Sequence, residues 1–273
     1  MIFLKKYFIT SDVHSFYDEL KMALSKKGFQ DDNPDHILVV LGDLFDRGNK
    51  SVEVHNFCKN LGDRFIYITG NHEYLLYQCV QEMISDMRIN SFHDSNGTIR
   101  TISHFCGIPY EKMTTWDFMW RRTESEKELV YNSMRPILDW ISSKSVPYCE
   151  VGDNIFVHGW IPLQEVYYTV GGKIKYEVVP QNKWEDSDWE GASWLNGIEM
   201  WHQGYTIPEK TIWAGHYHTS YYWSRIKQKR KEFPDKSRKD WQKSFEVVKE
   251  SGAVFMDSCC GYSGFLNCIV LEV

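Results

Sequence analysis

The first eighty residues alternate short apolar runs with amphipathic stretches. Residues 7–11 form a brief apolar run, and residues 37–41 (Ile-Leu-Val-Val-Leu) are unbroken and rich in β-branched side chains. An unbroken run of that kind marks a strand covered on both faces. Residues 64–69 (Arg-Phe-Ile-Tyr-Ile-Thr) repeat it. Between the runs, Phe16, Leu20, Met22 and Leu24, then Val52, Val54, Phe57 and Cys58, place apolar side chains at helical spacing, and residue 73 opens another helix. Strand, polar loop and helix recur, which predicts βαβ units and a largely parallel sheet. Residues from about 84 to 144 lose this rhythm. Helices at 116–122 and 124–140 with few strand signals predict an inserted helical cap. Strands are predicted again at 145–151 and 154–158, paired around Gly152-Asp153, and at 173–179, 211–214, 253–257 and 265–271. No repeat or low-complexity linker divides the chain, so residues 1–273 are expected to form one domain.

Composition narrows the class. Hydrophobic residues make up 42% and charged residues 25%, the values of an ordinary globular protein. Thirty-one Lys and Arg against 37 Asp and Glu leave a charge of −6, with no global attraction to nucleic acid or anionic membrane. No apolar run approaches the roughly 20 residues of a membrane span. Residues 1–11 are interrupted by Lys5 and Lys6 and lack a small-residue cleavage site, so a strand is expected there and not a signal peptide. The cysteines at 58, 79, 106, 149, 259, 260 and 268 form no C-x-x-C pattern and are expected to be thiols of a cytoplasmic protein. The basic run at 225–239 reads as a solvated face, and Trp184, Trp189, Trp194 and Trp201 as packing residues.

Candidate chemistry collects where predicted strands end. Asp12 and His14 follow the first strand, Gly42-Asp43-Leu-Phe-Asp46-Arg47-Gly48 the second, and Gly70-Asn71-His72-Glu73 the third. His158-Gly159 and Gly215-His216-Tyr-His218 follow two later ones. Each fragment alone has a bland reading: a turn, a helix cap or a core histidine. Together they converge, because the carboxyl ends of strands in an open α/β sheet line one crevice. The set Asp12, His14, Asp43, Asn71, His158, His216 and His218 mixes imidazole with oxygen donors and exceeds what one tetrahedral ion needs. Two ions sharing one carboxylate fit it better, and such pairs serve in-line displacement at phosphorus.

As an ordered set, these motifs resemble the calcineurin-like metallophosphoesterase superfamily, and within it the phosphoprotein phosphatase branch, which includes serine/threonine phosphatases and symmetrical diadenosine tetraphosphatases. The segment from Met256 through Asp257 to Leu266 is similar to that branch's closing turn and strand. The resemblance implies a four-layer α/β/β/α sandwich of two mixed sheets flanked by helices. It implies two divalent metals, Mn first with Fe, Zn or Ni as alternatives. Asp12, His14, Asp43 and His218 would hold one, and Asp43, Asn71, His158 and His216 the other, with a bridging hydroxide as nucleophile. His72 would be the general acid, Asp46 its orienting carboxylate, and Arg47, with Asn71, a contact to the phosphate. A phosphorylated small molecule, nucleotide or protein is the implied partner. The sequence reading places a phosphate monoester first among substrates, a dinucleoside polyphosphate second, a phosphodiester or nucleic acid third, and a non-catalytic metal-stabilised binding role last. Three positions depart from the branch. Thr69 stands where an arginine usually precedes the Gly-Asn-His-Glu motif, with Arg121, Arg122 and Asn196 as candidate replacements; Ser15 replaces a glycine; and the last motif is His-x-His.

Overall fold

The computed structural model describes residues 4–167, 174–227 and 242–273. Its strands are β1 (Lys6–Thr10), β2 (His36–Val40), β3 (Phe65–Ile68), β4 (Ser145–Val146), β5 (Cys149–Val151) and β6 (Asn154–Phe156), then the hairpin β7 (Leu163–Tyr167) and β8 (Ile174–Val178), then β9 (Thr211–Ala214), β10 (Val248–Glu250), β11 (Ala253–Phe255) and β12 (Ile269–Glu272). One sheet has the order β12-β1-β2-β3-β4, parallel except where β12 runs against β1. The other has the order β10-β11-β9-β6-β5, parallel across β11, β9 and β6 with an antiparallel strand at each edge.

The helices are α1 (Tyr17–Lys26), α2 (Ser51–Asn60), α3 (Asn71–Ile84), α4 (Ser91–Ser95), α5 (Thr98–Cys106), α6 (Tyr110–Met113), α7 (Trp116–Trp120), α8 (Glu124–Lys144), α9 (Asp188–Ser193), α10 (Gly197–His202) and α11 (Cys260–Ser263). Side chains alternate along each strand. On β1, Ile9 joins Val39, Leu41 and Ile68 against Phe156, Trp213 and Val254 between the sheets. Its neighbour Phe8 points outward with Leu38 and Val40 to meet Leu20, Val54, Leu76 and Ile102. Outside the second sheet, Ile155, Ile212 and Phe255 pack on Trp189 and Ile198. Helix, sheet, sheet and helix follow in four layers. The unbroken apolar run at 37–41 is explained: both faces of β2 are buried.

The helices of residues 84–144, expected as an inserted cap, pack with the layer outside the first sheet. Ile89, Ile99, Ile102, Phe118, Val130 and Met134 share one core with Phe8 and Leu38, and α8 lies along α3 and α5. The strand expected at 145–151 is two strands in different sheets. Pro147, which has no N–H to offer a ladder, separates them where the chain crosses over. Trp184 and Trp189 pack on Tyr148, and Trp201 on Phe255. Trp194 departs from the packing expectation: it stays exposed beside His216. Residues 228–239 of the basic run lie outside the described residues. Among the described residues no helix is long and apolar enough to cross a membrane.

Arg122 is a buried peg in the helical layer. Its guanidinium donates to the carbonyls of Glu82, Met83 and Ser85 at the end of α3, of Phe118 and Met119 in α7, and of Met87. All but that of Met87 are carbonyls a helix end leaves without an intrahelical partner. Arg122→Met is therefore expected to destabilise the protein by about 3 kcal/mol, since several buried acceptors lose a charged donor at once. Urea unfolding measures it; a loss below about 1 kcal/mol would mean water reaches those carbonyls.

Candidate active site

Every motif loop leaves the carboxyl end of a parallel strand, three from the first sheet and three from the second, and the two sheets open on one crevice. The loops are tightly wound. Among the described residues nine non-glycine positions have positive φ, and eight lie in these loops, including Asp12, His14, Asp43, Asp46, Arg47 and His216. L-residues reach that conformation at roughly 1 kcal/mol or more each, so surrounding hydrogen bonds must hold it.

Asp43 is the centre. Its Oδ2 lies 3.6 Å from His14 Nε2 and 3.8 Å from His72 Nε2, and its Oδ1 lies 3.2 Å from His158 Nε2. Two donor groups result, His14–Asp43–His72 and Asp43–His158–His216, sharing the one carboxylate. Burial opposes ionisation of Asp43, but His158, His72 and His14 around it hold its carboxyl well below the usual range. The backbone N–H of His72, in the first turn of α3, also donates to its Oδ1 at 3.0 Å. The anion held at the start of α3 is thus Asp43 itself.

Ring orientations are set from behind. His14 Nδ1 donates to the carbonyl of Phe45 at 2.8 Å and His158 Nδ1 to that of Leu41 at 2.7 Å. Each therefore turns Nε2 toward the crevice, the arrangement by which backbone carbonyls orient metal-binding imidazoles. At His158 this brings an Nε2 lone pair against Asn71 Oδ1 at 2.8 Å and Asp43 Oδ1 at 3.2 Å. Three acceptors cannot converge without positive charge between them. A proton on His158 supplies it in one state: burial works against that proton, but Asp43 and then Asp12 raise the pKa to about 10. A divalent cation supplies the same charge with donors suited to it, and the residues fit one. Burial, then His158, push His216 down to about 3, which leaves its ring a neutral donor.

The other sequence-predicted residues fall as follows. Asp12 is buried, which raises it to about 6, and its carboxylate accepts the N–H of His216 at 3.0 and 3.2 Å. His218 stands outside both donor groups; its Nδ1 pairs with Ser220 Oγ at 2.6 Å. His72 Nδ1 donates to Asp46 Oδ2 at 2.7 Å, and the exposed Arg47 donates from Nη2 to His72 Nε2 at 3.1 Å. Each candidate for the missing arginine is engaged elsewhere: Arg122 is the buried peg, Arg121 lies over Trp116, and Asn196 caps α10.

Two further residues shape the crevice. The carboxylate of Glu73 accepts the N–H groups of Asp43 and Leu44 at 3.0 Å each and of Gly70 at 2.7 Å, tying the loop after β2 to the start of α3. Gly70 itself has no room for a side chain, because a Cβ would sit 2.3 Å from Asp43 Oδ1. Asp257 follows β11 as the other site residues follow their strands. It is buried beside Asp12, and burial, then Asp12, push its carboxyl well above the usual range. The strand-end rule that found the other fragments points to Asp257 as well.

The family model for calcineurin-like phosphoesterases matches residues 5–248. A symmetrical bis(5'-nucleosyl)-tetraphosphatase of Buchnera aphidicola is 43% identical over 70 residues, 26% of this chain and 24% of that protein. An asymmetrical one of Bacillus velezensis is 41% identical over 80 residues, 26% of this chain and 32% of that protein. The chain thus aligns with about a quarter to a third of the length of these relatives. A solved cold-active protein-tyrosine phosphatase of a psychrophilic Shewanella has a TM-score of 0.43 at 15% identity, covering 99% of this chain and 76% of that one.

Proposed function

The chain belongs to the calcineurin-like phosphoesterase family, and from that premise we propose that it is a phosphoric ester hydrolase that cleaves a dinucleoside polyphosphate at a pair of divalent cations. The observation that carries the metal chemistry is the single carboxylate, Asp43, set between His14 on one side and His158 with His216 on the other. Support for the substrate comes from the relatives above, named as bis(5'-nucleosyl)-tetraphosphatases of both the symmetrical and asymmetrical kinds. Their names reverse the order reached from the sequence, which placed a phosphate monoester first. The cations, with manganese the first candidate, would be held by His14, Asp43, Asn71, His158 and His216, with Asp12 and His218 at the margin. When bound, they would neutralise phosphoryl charge and acidify a water for attack.

The chain's own groups do the rest. Arg47 is exposed and planar and leaves His72 to grip phosphoryl oxygens as a fork. His72 then has its Nε2 free to give a proton to the departing oxygen. Asp46, on Nδ1, holds the ring in one tautomer and stabilises its charged form. Burial opposes that charge, but Asp43 and the Asp46 hydrogen bond raise the His72 pKa above its ordinary value.

A phosphate monoester is the second reading, favoured by the 2.7 Å pairing of His72 with Asp46, since an acid is most useful to a poor leaving group. Manganese-loaded protein given diadenosine tetraphosphate, p-nitrophenyl phosphate and its bis ester separates the readings. Two ADP from the tetraphosphate indicate symmetrical cleavage, ATP with AMP asymmetrical cleavage. No turnover of the tetraphosphate beside brisk turnover of the monoester would reject the first reading. His72→Asn is expected to slow phenyl phosphate hydrolysis by about a hundredfold and p-nitrophenyl phosphate far less, because a positioned acid contributes roughly 10²-fold or more where the leaving group needs its proton. Equal losses would remove the acid role.

A further inference from the structure

We propose that Thr98 and Thr101, on a helix to which no motif points, are positioning residues that aim Asp46 at His72. This rests on the acid role given to His72. Asp46 is fully buried, and its carboxylate takes a hydrogen bond on each oxygen from α5. Thr98 Oγ1 donates to Oδ2 at 2.8 Å, the oxygen that also receives His72 Nδ1–H, and Thr101 Oγ1 donates to Oδ1 at 2.8 Å. Thr101 Oγ1 in turn accepts the Asp46 backbone N–H at 2.9 Å, so one hydroxyl holds both the loop and its side chain. The two threonines are three apart on a helix, hence on one face, and both are buried.

The helix is set close enough for this. Gly97, just before α5, has positive φ, and a Cβ there would lie 2.3 Å from the Arg47 backbone nitrogen. Helical threonines commonly return their hydroxyls to a carbonyl of the preceding turn; these two spend them on a carboxylate from another loop. A carboxylate bound on both oxygens cannot rotate about its last bond, so Oδ2 stays on the imidazole. With valine at both positions the packing volume is kept and the restraint is gone.

The test reads the imidazole directly. In the metal-free protein, a His72 Nδ1–H buried against Asp46 gives a downfield proton resonance, assigned by its disappearance in His72→Asn. Thr98→Val and Thr101→Val are expected to shift or broaden it, with the larger effect from Thr101→Val, while Thr98→Ser and Thr101→Ser keep it in place. In manganese-loaded protein, the ratio of p-nitrophenyl phosphate to phenyl phosphate turnover is expected to rise about tenfold in the valine variants and return in the serine ones, part of the roughly 10²-fold an acid contributes. A resonance unchanged in both valine variants, or equally disturbed by serine, would overturn the proposal. Should the Thr101→Val protein not fold, Thr98→Val, which removes one bond, decides alone. A ratio that moves in His72→Asn but not in the valine variants sinks the threonine role by itself; a ratio unmoved in His72→Asn sinks the acid role beneath it.

Discussion

Asp43→Asn is expected to cost the protein both cations together and to lower turnover by about a thousandfold or more, some 4 kcal/mol of transition-state stabilisation. Asp43 is the one carboxylate common to the two donor groups, with His14 and His72 on Oδ2 and His158 on Oδ1. An amide removes the negative charge that offsets two cations. It also turns an NH₂ toward imidazole lone pairs that a metal would otherwise occupy. The His72 backbone N–H, which donates to Oδ1 at 3.0 Å, is left with at most a neutral amide oxygen in place of a carboxylate. Metal analysis after dialysis, paired with kcat, reads the result. Retention of one cation at full occupancy would show that Asp43 does not bridge.

Glu73→Ala is expected to destabilise the protein by about 3 to 5 kcal/mol, since three buried N–H groups lose a charged acceptor and each such loss costs roughly 1–3 kcal/mol. At this chain length that corresponds to a melting temperature lower by about 10 °C. The donors are the backbone nitrogens of Asp43, Leu44 and Gly70. Two belong to the loop that carries Asp43 at positive φ, a conformation that loop does not favour alone. Activity is therefore expected to fall with stability, even at temperatures where the variant stays folded. Glu73→Gln, which keeps one acceptor oxygen, is expected to lie between. Thermal unfolding and manganese affinity measured on the same samples test the link. Full metal affinity in Glu73→Ala would mean the loop holds its shape without the clamp.

Glu73 also shows where reading the sequence stops. From the sequence it is a favourable acidic residue in the first turn of a helix. That it reaches across to the loop after β2 follows only once β2 and β3 lie side by side in register, Val39 opposite Ile66. Arg122 teaches the same in reverse. Its charge made it a candidate for gripping phosphate, but its surroundings are carbonyls at helix ends, and those place it in the core. Thr98 and Thr101 lie on a helix at 98–106 that the sequence reading did not single out, and nothing in the sequence connects them to Asp46. His218 was grouped with the ligands by motif, and its hydrogen bond to Ser220 turns on local loop geometry that no spacing encodes.

What the sequence determined by itself is most of the strands, the longer helices and the strand-end positions of the chemistry. Apolar periodicity and β-branched runs are local, and a parallel strand can end only in a loop. Which faces those strands bury against each other, how far apart Asp43 and His158 come, and which neighbours hold each ring belong to the tertiary structure alone. Those distances depend on packing between residues more than a hundred positions apart, where no local preference acts.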